Sequence, residues 1–197
     1  GATFTTPANT YTRTLYSFAG WSDGTNTFAA GATYPSSGSV SGNVTLTATW
    51  NLDACSTTTS TANGYTSIVI GTVGTCGWVV PDGITRVDVL AVGGGGAGGT
   101  SSNGAGGGGG GGQVNAQTNQ EVSGVITIQV GAGGTAQSTA SATPGGNGGT
   151  TSFTPGSGTA ITANGGSGGA SVAVNAVGSP SATGFNGGGG SVWANNL

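Results

Sequence analysis

The first fifty residues alternate apolar and polar in the manner of strands. Over residues 44–50, Val44, Leu46, Ala48 and Trp50 fall on one face and Thr45, Thr47 and Thr49 on the other. A period of two in β-branched and aromatic residues predicts a half-buried strand. Tyr16-Ser17-Phe18 is a second short run, broken on this reading by Gly20. Asp23-Gly24 and Gly31 are turn signals. Further strands are predicted over residues 65–70, 75–80, 84–92 and 121–130, with two short ones at Phe153 and Ile161. In the 121–130 run, Val122, Ile126, Ile128 and Val130 share a face. Pro81-Asp82-Gly83 suits a tight reversal, and Asn63-Gly64 suits a hairpin. Apolar residues nowhere recur at helical spacing over three turns, so the chain reads as all-β. Residues 51–64, with Thr57-Thr58-Thr59-Ser60-Thr61, read as a polar connector between a first part, 1–50, and a second, 65–197.

Glycine fills the gaps between the later strands. The chain has 197 residues, 45 of them Gly and 6 Pro. That is the level at which low complexity and disorder become the default expectation. Disordered chains, however, carry high net charge and few bulky apolar residues, and this chain is nearly uncharged, with Val, Ile, Trp, Phe and Tyr in blocks. Residues 93–112 hold 14 Gly in 20 positions, including an unbroken run over 106–112. Further clusters lie at 131–134, 145–149, 165–169 and 187–190. Their irregular spacing is neither that of a solenoid nor that of collagen. Ordering a residue costs roughly 1–2 kcal/mol of backbone entropy, with Gly at the high end. Such segments have almost no side chain to bury in return. Extended polyglycine helices, with three residues per turn, can pack at backbone distance and hydrogen-bond laterally. The alternative is ordinary loops trapped by neighbouring molecules.

Composition also removes most chemistry. There is no His, Lys or Met, and the net charge is −3. The usual proton shuttle and commonest metal ligand are absent. So is the amine for a Schiff base, a phosphate clamp or an isopeptide crosslink. Two arginines, Arg13 and Arg86, build no nucleic-acid surface. The motif Gly93-x-Gly95-x-x-Gly98 after a hydrophobic strand imitates a dinucleotide fingerprint. The fingerprint needs a helix next, and Gly99-Thr100-Ser101-Ser102-Asn103-Gly104 starts none. Serine and threonine lack a base. Asp82 and Asp88 could form a carboxylate pair, but a turn role for Asp82 and an exposed Arg86–Asp88 pair on one strand face fit better. Asp23-Gly24-Thr25-Asn26 could offer oxygens to calcium, and reads better as a turn. Trp21, Trp50 and Trp78 read as core anchors, leaving Trp193 as the possible ligand contact. Thr45, Thr47 and Thr49 form no flat array of the kind ice binding needs. No catalytic residue, metal site or cofactor is expected, and the chain reads as no enzyme.

The two cysteines, Cys55 and Cys76, are expected to form a disulfide, closing a loop of about 20 residues worth roughly 3 kcal/mol in the chain-entropy model. The other reading is two buried thiols. With so much Thr, Ser, Asn and Gly, the pair suggests a secreted, extracellular or cell-surface protein. No apolar stretch approaches the ~20 residues of a membrane-spanning helix. A start at Gly1 suggests a processed or truncated piece.

Two resemblances follow. Residues 3–50, through Tyr16-Ser17-Phe18-Ala19-Gly20-Trp21-Ser22-Asp23-Gly24, Ala30-Gly31-Ala32-Thr33-Tyr34 and Val44-Thr45-Leu46-Thr47-Ala48-Thr49-Trp50, resemble the Listeria–Bacteroides (internalin B-type) surface repeat. That resemblance implies a small β-grasp-like spacer or adhesive module, here without the repeat's usual first strand. Residues 65–197, through Trp78-Val79-Val80-Pro81-Asp82-Gly83-Ile84-Thr85-Arg86-Val87-Asp88-Val89, Ile126-Thr127-Ile128-Gln129-Val130-Gly131-Ala132-Gly133-Gly134 and Gly149-Thr150-Thr151-Ser152-Phe153, resemble the glycine-rich domains of actinobacterial surface proteins and phage tail adhesins. Those imply a β-sandwich carrying polyglycine-II-type segments and usually finish with one more hydrophobic strand, which the end at Asn195-Asn196-Leu197 lacks. Neither resemblance carries catalytic residues. The expectation is an extracellular bacterial structural protein, self-associating through strand edges into a homopolymer, a fibre or stalk. The alternative is an adhesin for a glycan or cell-surface receptor. A hydrolase through Asp82 and Asp88 is the remote third.

Overall fold

The computed structural model describes residues 2–101, 106–137, 143–155 and 158–171. The described residues are all-β and divide into two compact units, Gly1–Ala54 and Cys55–Leu197.

The first unit holds strands β1 (Phe4–Thr5), β2 (Tyr16–Ser22), β3 (Thr27–Phe28), β4 (Thr33–Tyr34) and β5 (Thr47–Leu52). They form a three-stranded antiparallel sheet, β3-β2-β5, and a pair, β1-β4. Gly20 does not break the second strand. It sits at a bulge, where the register slips by one between Phe18 and Gly20. Its φ of +148° and a Cβ position 2.6 Å from Thr27 Cγ2 both require glycine there. The slip puts Phe18 and Trp21, three residues apart, on one face, with ring centroids 5.3 Å apart. Trp50, cross-strand from Phe18, completes the cluster at 5.7 Å. Trp21 is buried and donates its indole N–H to Pro7 O at 2.8 Å. Buried Thr6, just after β1, ties that strand to the turn between β3 and β4: its hydroxyl donates to Ala29 O at 2.6 Å and accepts from Ala32 N at 3.0 Å.

The second unit begins where a connector was expected. Over residues 51–64 the chain finishes β5 and then forms β6 (Thr58–Ala62), which pairs with β7 (Tyr65–Val69) across an Asn63-Gly64 turn. Both turn residues have positive φ, 53° and 80°, the I′ geometry that Asn-Gly favours. The threonine run is β-branched and forms a strand once a partner is beside it. Next come β8 (Gly74–Val79), β9 (Arg86–Val92), β10 (Val114–Glu121), β11 (Val125–Val130), β12 (Thr151–Thr154) and β13 (Ile161–Ala163). One sheet has the order β13-β12-β11-β8; the other is the β9-β10 ribbon. Ile126, Ile128, Phe153, Ile161 and Ala163 from the sheet cluster with Ala91 of the ribbon and with Val80 and Val122, giving a sandwich-like core. Trp78 and half-buried Val87 and Val89 pack against it. Ile126 is 0% exposed.

Five sandwich strands run straight into glycine. Residues 93–101 leave the end of β9, 106–113 return into β10, 131–137 leave β11, 143–150 return into β12, and 164–171 leave β13. The sandwich thus sets where each glycine segment starts and which way it runs.

Candidate interaction surfaces

Backbone hydrogen bonds join the five segments, and each series recurs every third residue. Gly93, Gly96 and Gly99 donate to the carbonyls of Gln113, Gly110 and Gly107. Gly94, Ala97 and Thr100 donate to Gly149, Gly146 and Thr143. Gly107, Gly110 and Gln113 donate in turn to Ala170, Ser167 and Asn164. Distances across the lattice lie between 2.7 and 3.1 Å. A period of three is that of the polyglycine-II helix, and none of the described glycines in these segments has a positive φ. The glycine therefore forms a hydrogen-bonded lattice rather than trapped loops.

Segment 93–101 is the hub. It bonds to 106–113, 143–150, 164–171 and, through Gly134 N to Gly95 O, to 131–137. Around it the outer segments bond in turn: 106–113 to 164–171, 164–171 to 143–150, and 143–150 to 131–137. Glycine is needed because backbones touch. A Cβ at Gly96 would lie 2.1 Å from Ser167 O, and one at Gly148 would lie 1.9 Å from Gly94 O. Residues with side chains recur every third position, as at Pro144, Asn147 and Thr150, or Asn164, Ser167 and Ala170, and each of these is exposed or half-buried.

The other surface is the β6–β7 hairpin. Every residue of both strands is exposed, Tyr65 by 77% and Val69 by 62%. Each strand pairs only with the other, and no other described strand lies along either outer edge. Its root is fixed. Cys55 forms the expected disulfide with Cys76 of β8 and donates its N–H to Gly77 O at 3.0 Å. Ile70, past the other end, packs on the core. The β9-β10 ribbon adds a smaller apolar patch, since Leu90, Val92 and Val114 share its outer face and are exposed.

One ionic reading and one strand boundary are corrected. Arg86 pairs with Glu121 across the ribbon, not with Asp88 two residues on. Glu121 ends β10 rather than opening a strand. Asp88 instead accepts the N–H of Asn119 at 2.8 Å, where β10 bulges and Asn119 takes a φ of 58°. Asp23 accepts the N–H groups of Thr25 and Asn26 at 2.9 and 2.8 Å, which makes the turn. Those two bonds, Asn26 first, hold its carboxyl below the usual value of 3.8. Desolvation first, then the Asp23 charge, pushes the Tyr34 hydroxyl up. No three His, Cys, Asp or Glu among the described residues gather to hold a metal ion. No helix among them is long and apolar enough to cross a membrane. Trp193, the possible ligand contact, and the cluster at 187–190 lie outside the described residues.

A family model described as a glycine-rich domain matches residues 70–196. It starts at Ile70, just after the hairpin, and spans the sandwich and the lattice. No curated protein and no solved structure matches the chain.

Proposed function

The chain belongs to the glycine-rich domain family, and we propose that it is an extracellular bacterial structural protein, a non-enzymatic building block of a surface fibre or stalk. Assembly would proceed through strand edges, and the rooted, fully exposed β6–β7 hairpin is the observation that supports this best. A two-stranded hairpin is marginal alone in water. A strand of a second copy laid along it would pair an outer edge and cover Tyr65, Ile68 and Val69. A hairpin that docks elsewhere on the next copy makes a head-to-tail contact, which propagates as a filament. The disulfide suits an oxidising compartment. The resemblance of residues 3–50 to a bacterial surface repeat suits a spacer.

Sedimentation velocity and negative-stain microscopy of the full chain test this. Elongated species should grow with concentration and be lost when Ile68→Lys and Val69→Lys are combined. A monomer at all concentrations would sink the reading. A glycan- or receptor-binding adhesin is the second reading, favoured by the Leu90, Val92 and Val114 patch. Surface attachment that survives the double-lysine variant but falls with Leu90→Ser, or with Trp193→Ala, would favour it.

A further inference from the structure

The two layers of the sandwich differ in width. One sheet has four strands, β13-β12-β11-β8, and the facing ribbon has two, β9 and β10. β10 comes closest to β13, and β9 to β12 and β13, so β9 is the ribbon strand that borders the side over β11 and β8. Cover is thinner on that side: Ile126 of β11 is fully buried, whereas Cys76 and Trp78 of β8 are only half-buried. No described strand other than β10 lies along β9.

Of the sandwich edges, that of β9 is the least protected against pairing. β8 receives the Cys55 N–H at Gly77 O. β13 is three residues long, and β10 bulges between Gln117 and Gln120, where Asn119 has a φ of 58°. Short strands, bulges and a covering chain are devices that keep edges from pairing. β9 has seven residues, no Pro, and no charged residue after Asp88. Gly93, just past it, donates to Gln113 O at 2.8 Å. By the alternation of an antiparallel ladder, the backbone groups of Leu90 and Val92 therefore point away from β10. Both residues are exposed.

We infer that the β6–β7 hairpin of a second copy adds to this edge and widens the ribbon to four strands, the width of the facing sheet. The inference rests on the proposed assembly and names its receptor. Ala62 and Tyr65 close the two-residue turn as a hydrogen-bonded pair, so Thr66 and Ile68 direct their backbone groups outward from β7. Their spacing matches that of Leu90 and Val92. Every ladder in the fold is antiparallel, and antiparallel pairing sets Ile68 opposite Leu90 and Thr66 opposite Val92. The same register brings Val69 beside Val89 and Ser67 beside Ala91, on the face of β9 that packs into the core. Tyr65 turns to that face as well. No residue from 56 to 75 is charged, so the joint buries no charge of the hairpin.

Two variants of the full chain test the assignment. Ile68→Lys with Val69→Lys removes the hairpin's half of the joint, and Leu90→Lys with Val92→Lys removes the ribbon's half. Each alone should stay monomeric in sedimentation velocity. Mixed in equal amounts they keep one complete joint, and should give a 1:1 dimer and nothing larger. A gentler pair, Ile68→Cys in one chain and Leu90→Cys in the other, should be cross-linked by a short bismaleimide faster in the mixture than in either chain alone. Elongated species that persist with Leu90→Lys and Val92→Lys would overturn the inference and leave assembly through the hairpin standing, with its receptor elsewhere. A mixture that neither dimerises nor cross-links, while the native chain assembles, would overturn it too. A native chain that is monomeric at all concentrations would remove the assembly and the inference together.

Discussion

The sandwich core and the glycine lattice are built by opposite means from one continuous chain. In the core, Ile126, Ile128, Phe153 and Ile161 exclude water with side chains, and the backbone bonds of β8, β11, β12 and β13 follow from that packing. In the lattice there is almost no side chain to bury. The backbone is itself the packed surface, and hydrogen bonds at about 1 kcal/mol net each are the main return. Such bonds offset only part of the roughly 1–2 kcal/mol of entropy per ordered residue. The lattice therefore depends on the core. Strands β9 to β13 deliver its five segments already aligned, which removes most of the search. One region is robust because each residue contributes much, the other because each contributes little in register.

The largest expected effect comes from the core. Phe153→Ala should cost about 3–5 kcal/mol in denaturant unfolding, and lattice amides should lose protection along with the core. Lattice amides that stay protected in that variant would show the lattice standing by itself. Removing the disulfide with Cys55→Ser and Cys76→Ser should cost roughly 3 kcal/mol. Within the lattice the contrast is between two glycines. A methyl at Gly148 meets Gly94 O at 1.9 Å, whereas one at Gly98 meets Gly107 O at 3.5 Å, an ordinary contact. Gly148→Ala should therefore cost about 2–3 kcal/mol and Gly98→Ala less than about 1 kcal/mol in the same unfolding series. Equal costs would mean that composition, not close approach, sets the glycine requirement.

Residues differed in how far they could be read beforehand, for physical reasons. The Asn63-Gly64 turn, the buried set Val122, Ile126 and Ile128, and the disulfide rest on local chemistry, and sequence shows local chemistry directly. Strand β10 was missed because Val114–Glu121 is polar and mostly exposed; it is a strand because β9 pairs with it. Gly20 looked like a break because a bulge and a break share the same residue. The partner of Arg86 depended on cross-strand register, which i+2 spacing cannot reveal. Polyglycine packing followed from the entropy of ordering glycine. The alternation of outward and inward segments needed the strand ends. The signal for the hairpin surface was present, as a β-branched Thr run before Asn-Gly, and was outweighed by its polarity.

Acid titration separates the regions most finely, with the smallest expected effect. The described lattice segments contain no ionisable side chain. The first unit has Asp23, whose carboxyl is held below 3.8 by the Asn26 and Thr25 N–H groups. A carboxyl that ionises more readily folded than unfolded stabilises the fold fully above its unfolded value. That contribution fades as pH falls through the lower folded value. Below about pH 4, then, the turn at Asp23–Asn26 should loosen and the amides of Thr25 and Asn26 should exchange faster, while Gly96 and Gly110 keep their protection after correction for intrinsic exchange. Asp23→Asn should flatten the response of the turn without changing the lattice. A lattice that loosens in step with Asp23 would mean that the two units unfold as one, and that the glycine segments draw support from outside the sandwich that aligns them.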